Sequence, residues 1–229
     1  MTKKSEGNCF FCGTVCKRIA MRNHILKTHA EGDEDCYLLL AEGVGDHWMM
    51  IDVALDKSLS SIDLFLRKAW LECCGHMSQF GTFENTIGKN RKIGEFFPGD
   101  KILHQYDFGT TTYTLFTVLA RTTRPKQYAA VRLLARNIPR QYECKNCGKA
   151  AAFVCSDCGG MYEDAVFCGK CIKEHEERDE FVLPLTNSPR CGECAYCGEE
   201  DVFEFKPRRG PLTSTRRKCM VWTVDPARK

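Results

Sequence analysis

The chemistry legible in this chain lies in its cysteines and histidines. Residues 9–29, CFFCGTVCKRIAMRNHILKTH, place Cys9, Cys12, His24 and His29 in the spacing C-x2-C-x11-H-x4-H. A cysteine hairpin followed by a helix with two histidines on one face encloses a zinc ion tetrahedrally. Further on come three C-x2-C pairs, Cys144 and Cys147, Cys155 and Cys158, Cys168 and Cys171, and then His175. Each pair turns two thiolates to one side and supplies half of a tetrahedral site. The stretch NSPRCGECAYCG adds Cys191, Cys194 and Cys197. Sixteen cysteines in 229 residues would mean disulfides in an exported chain. Here most stand in pairs with metal spacing, and the start, MTKKSEGNCFFC, has no apolar core of a signal peptide. The expectation is therefore zinc in a reducing compartment: cytoplasmic, or nuclear if eukaryotic, and not secreted.

Charge and composition narrow the function classes. Residues 1–30 carry six Lys or Arg against one Glu, and residues 202–229 carry eight against two acidic residues. The net charge is only +3, so basic ends flank an acidic middle. Such asymmetry fits contact with nucleic acid. The candidate phosphate-contacting residues are Lys17, Arg18, Arg22 and Lys27, then Arg208, Arg209, Arg216, Arg217 and Lys218. No apolar run approaches the ~20 residues that cross a bilayer, so no membrane partner is expected. No phosphate-binding glycine loop and no H-E-x-x-H occurs. Cys73, Cys74 and His76 could be read as a thiol nucleophile with its base. The simpler expectation makes Cys73 a core residue at a helix end, with His76 anchoring the next strand. Asp107 reads as a turn former. No catalytic residue is assigned.

The elements that must position these groups follow from periodicity. Apolar runs at about 36–42 and 47–55 flank EGVGDH, a hairpin signal. Ile62, Phe65, Leu66, Ala69, Trp70 and Cys73 recur at helical spacing, with Ser60 as N-cap and Gly75 as terminator. MSQFGTFE, KILHQYDFG and TYTLFTVLARTT then read as strands, with one more near Ala130–Arg136. The predicted class is α+β: an antiparallel sheet with a packed helix, flanked by small zinc-stabilised modules. Expected boundaries are 1–32 for the first zinc module, 33–138 for the core, 139–201 for the cysteine-rich module and 202–229 for a basic tail.

Three resemblances add to this reading. The first module resembles the C2H2 zinc finger, although its loop is one residue short and Cys16 stands where an aromatic is usual. The core, through HWMMIDVALDKSLSSIDLFLRKAWLECCGHMSQF and ILHQYDFGTTTYTL, resembles a bacterial and archaeal family named after the third open reading frame of a root-inducing plasmid. Some members of that family accompany transposable elements, and its molecular function is not established. The three C-x2-C pairs resemble cross-brace fingers of the B-box and MYND kind. That likeness implies one zinc on Cys144, Cys147, Cys168 and Cys171 and another on Cys155, Cys158 and His175. Two closed sites need eight ligands, and this gives seven. The plasmid ORF-3 family often ends in an NSPR-x-G-x-C segment, which implies Cys194 as the eighth; Cys197 and Cys191 are the alternatives.

Three zinc ions are thus expected in a non-catalytic protein. The charge pattern points to a nucleic-acid-associated role, linked through the family to mobile elements. The B-box and MYND likeness points instead to a protein-interaction adaptor.

Overall fold

The computed structural model describes residues 5–126, 130–158, 165–175 and 181–198. It is α+β and mostly antiparallel. Strands β1 (Glu6–Cys9) and β2 (Val15–Lys17) precede helix α1 (Arg18–Thr28). Then follow β3 (Glu34–Gly43), β4 (Trp48–Ala54), α2 (Leu59–Leu66), β5 (Ser78–Gly81), β6 (Thr86–Ile87), β7 (Lys101–Tyr106), β8 (Thr112–Arg124) and β9 (Val131–Asn137). Strands β1 to β9 form one sheet in the order β2-β1-β9-β4-β3-β8-β7-β5-β6.

The sheet is covered on both faces, and the sequence shows why. Alternation along a strand sends neighbours to opposite sides. Strand β4, WMMIDVA, is buried at every position. Its Met49, Ile51 and Val53 join Leu39, Ile62, Leu66, Trp70 and Phe116 in the cluster under α2. Trp48 and Met50 join Leu38, Leu134, Met21 and Ile25 in a second cluster under α1. A near-continuous apolar strand is what a doubly covered sheet requires.

The expected first module is therefore not a separate bead on the chain. Its hairpin extends the central sheet, with Gly7 opposite Asn137 and Cys9 opposite Ala135, and its helix forms a layer of the core. Cys16 packs beside that cluster as a small apolar group.

The core helix is shorter than its sequence pattern. After Leu66 the chain widens into a π-helical turn, Arg67–Leu71, closed by the Glu72 amide on the Arg67 carbonyl at 3.0 Å. Regular structure ends there rather than at Gly75, so Glu72 to His76 form a loop. Single π turns of this kind often mark functional positions. Ser60 does not cap the helix; its hydroxyl donates to the Lys89 carbonyl at 3.1 Å.

The cysteine-rich part builds its own small sheet, β11-β10-β12, from β10 (Phe153–Cys155), β11 (Val166–Phe167) and β12 (Val182–Pro184). Beyond it, residues 187–190 return to the core. Asn187, Ser188 and Arg190 are buried there. The Ser188 hydroxyl donates to the Trp70 carbonyl at 2.6 Å. Asn187 and Asn137 exchange hydrogen bonds at 2.7 and 2.9 Å. Pro189 lies against Gly43, where any Cβ would collide. The NSPR strap, expected within the cysteine-rich module, is structurally part of the core. Among the described residues no helix is long and apolar enough to cross a membrane.

Candidate metal centres

Tetrahedral zinc, with Zn–S near 2.3 Å, sets sulfurs about 3.8 Å apart. Among the described residues, four groups of side chains bring their ligand atoms within 4.8 Å of one another. The first is Cys9, Cys12, His24 and His29, as the spacing predicts. Cys12 Sγ lies 3.2 Å from His24 Nε2. The knuckle is a tight turn: the Gly13 amide donates to the Cys9 carbonyl at 2.9 Å, with Gly13 in the left-handed region at φ 73°. Hydrogen bonds from Thr14 lower the Cys12 thiol to about 6, ready to coordinate as thiolate. His29 Nε2 is buried with no hydrogen-bond partner. Beside two cysteines and a second histidine, such a ring nitrogen fits a metal ligand.

The second group is Cys144, Cys147, Cys168 and Cys171. It repeats the knuckle, with the Gly148 amide donating to the Cys144 carbonyl at 2.9 Å and φ 69° at Gly148. Cys147 and Cys168 sulfurs are 3.7 Å apart, the tetrahedral edge. Burial opposes ionisation of Cys144, but amides of Cys168, Asn146 and Cys147 outweigh it and bring the thiol to about 6. Cys171, crowded first by Cys147, is pushed up to about 12. Four thiolates this close repel unless a divalent cation sits among them.

The third group is Cys155, Cys158 and His175, with Cys158 Sγ 3.0 Å from His175 Nε2. Among the described residues it stays at three ligands. Cys194 does not complete it. The NSPR strap carries the chain back onto the core, and Cys194 comes to rest beside the loop after the π turn. It lies there with Cys73, Cys74 and His76, the fourth group. Of the alternatives, Cys191 is buried with its sulfur accepting from the Thr186 amide at 3.3 Å, and Cys197 packs beside the same apolar cluster as Cys191. Cys73, Cys74 and His76 were not among the predicted ligands. The signal available was three donor side chains within four residues, plus one ligand short in the count downstream.

The cationic residues divide. Lys17, Arg22 and Lys27 are exposed on and beside α1. Arg18 is half-buried and paired with Glu42. It is spent on the sheet and is not available to phosphate. Arg208, Arg209, Arg216, Arg217 and Lys218 lie outside the described residues.

Asp107 forms the expected turn, with the Gly109 amide on its Oδ1 at 3.0 Å and φ 64°. It also accepts from Arg190 Nη2 at 2.5 Å. A buried polar cluster under α2 was not expected at all: Asp63 accepts from Ser78 at 2.6 Å, His104 at 2.8 Å and Lys89 at 3.0 Å.

No protein-family model matches the chain, and no curated protein matches it. Among solved structures, it is similar to a protein of unknown function from Methanosarcina mazei Go1. That similarity has 14% identity and a TM-score of 0.39, over 51% of this chain and 75% of that one.

Proposed function

We propose that the chain is a non-catalytic zinc-binding protein that associates with nucleic acid, in the setting of mobile elements suggested by its likeness to the plasmid ORF-3 family. The observation that carries the zinc reading is the convergence of the first two groups, each with four protein ligands. A site closed by four protein ligands keeps no position for water or substrate, so its metal organises the fold rather than reacts. The Asp107–Arg190 pair joins the YDFG and NSPR segments in one contact.

The nucleic-acid reading rests on α1. Met21 and Ile25 face the sheet, and Arg22, Asn23 and Lys27 face outward with Lys17 beside them. This surface offers three cations for phosphates, too few for specificity alone, and the basic tail supplies more. The test is fluorescence anisotropy of the zinc-loaded protein against duplex DNA, single-stranded DNA and RNA at rising salt. Binding at physiological salt that weakens when Lys17, Arg22 and Lys27 become alanine supports the reading. No binding at that salt overturns it.

A second reading, a protein-interaction adaptor, is favoured by one feature. Phe83 and Met77 are 74% and 71% exposed, and Phe83 packs tilted against Phe108, ring centroids 5.5 Å apart. Exposed aromatics of this kind belong to interaction surfaces more than to solvent. Capture of a protein partner that is lost on Phe83→Ser, in a protein that ignores nucleic acid, would select it.

A further inference from the structure

We propose that Cys73, Cys74, His76 and Cys194 form a fourth zinc site, a Cys3His clasp that fastens the chain after the NSPR strap to the end of the core helix. The four ligand atoms lie within 4.8 Å of one another. Cys74 and Cys194 sulfurs are 3.2 Å apart, and Cys194 Sγ is 3.6 Å from His76 Nε2. These residues come from loops 118 to 120 positions apart.

Packing does not explain the convergence. Cys74 and Cys194 are exposed, and neither belongs to an apolar cluster. Exposed thiols gain nothing from meeting at the surface unless something binds between them. A Cys74–Cys194 disulfide is a poorer account. The sulfurs stand 3.2 Å apart, well beyond the bond length of about 2.05 Å.

The surroundings are those of a metal ligand set. Nε2 of His76 faces Cys194, while Nδ1 lies 3.5 Å from Asp107 Oδ1. A carboxylate behind a ligating histidine fixes the ring and its tautomer. The same Asp107 is held by Arg190, four positions before Cys194. The ring also packs edge-on against Tyr106 at 5.8 Å. On the other side, Cys194 itself adopts φ 54°, a left-handed conformation that costs a non-glycine residue energy. Turns from Ser188 to Cys191, Arg190 to Glu193 and Glu193 to Tyr196 hold it there. The backbone is thus bent out of its preferred region to present one thiol to three other donors.

Three sulfurs and an imidazole suit zinc over hard cations. Loading releases the thiol protons to solvent and leaves no ligand position open, so the centre is structural. Its exposed Cys74 and Cys194 leave it accessible to a chelator.

The test uses the full zinc-loaded chain under reductant, with thiol alkylation followed by peptide mass mapping. Cys74 and Cys194 should react at least an order of magnitude more slowly than exposed free thiols. Stripping the metal should release Cys73, Cys74 and Cys194 together. Native mass spectrometry should find one zinc fewer in Cys194→Ser and an unchanged count in Cys191→Ser. His76→Cys should keep the wild-type count, since a thiolate can replace the imidazole. Free-thiol rates at Cys74 and Cys194 in the loaded protein would overturn the site, as would an undiminished zinc count in Cys194→Ser. A reductant-resistant Cys74–Cys194 disulfide would overturn it too. The alkylation arm needs no variant, so a misfolded Cys194→Ser does not rescue the proposal.

Discussion

Arg190 and Asp107 stand 83 positions apart in sequence and 2.5 Å apart in space, with Arg190 fully buried. Arg190 also donates to the Thr110 carbonyl at 2.9 Å and the Thr112 hydroxyl at 3.0 Å. One guanidinium thereby ties the strap to the β7–β8 connection. Removing one partner of a buried pair leaves the other charge uncompensated. Asp107→Asn should cost about 3 kcal/mol in urea unfolding. A loss within error of zero would mean that the strap is not anchored through this contact.

Acid should unfold the core through the cluster under α2. Burial alone would raise the Asp63 carboxyl, but hydrogen bonds from His104, Ser78 and Lys89 hold it well below the usual carboxylate range. His104 is fully buried, and burial pushes its imidazole down, so it stays neutral and donates from Nε2. Both folded values are depressed, so the unfolded chain binds protons more readily, and stability is lost as pH falls. The His104 share begins to go below about pH 6.5 and the Asp63 share below about pH 4. Urea midpoints measured from pH 7 to 3 should fall in that sequence. Asp63→Asn should flatten the lower stage.

The fusion of the first zinc module to the sheet is open to a steric test. A Cβ on Gly7 would overlap the Trp48 indole and the Arg136 carbonyl. Gly7→Val should therefore destabilise the whole core by about 3 kcal/mol. An autonomous finger would leave the core melt unchanged.

The cysteine-rich sheet has little apolar core of its own beyond Val154, Ala165, Val166, Phe167 and Leu183. Structural zinc contributes roughly 10–16 kcal/mol of apparent binding energy in small metal-dependent modules. Chelation should therefore expose the amides of β10 and β12 to rapid hydrogen exchange. Amides of β3 and β4, buried under two layers, should stay protected.

Much of this architecture can be read from the residues. The runs of β3 and β4, the helical spacing of Ile62, Leu66 and Trp70, and the C-x2-C pairs all carry local signals. Their partners in space do not. Nothing near Gly7 announces its pairing with Asn137, and a C-x2-C hairpin followed by two histidines looks like a free module until its helix is seen on the sheet. The π turn at Arg67–Leu71 is likewise invisible to periodicity, yet it frees the loop that carries Cys73, Cys74 and His76. Counting ligands showed that one was missing. It could not show that Cys194 is drawn to a different group by an arginine four positions earlier.

The most direct measurement is the mass of the folded, full-length protein under native conditions, before and after a chelator. The account predicts at least three zinc ions per chain, one in each group of four ligands, lost on chelation together with the compact form of the cysteine-rich part. A compact chain that carries no zinc, and whose folding a chelator leaves untouched, would contradict it.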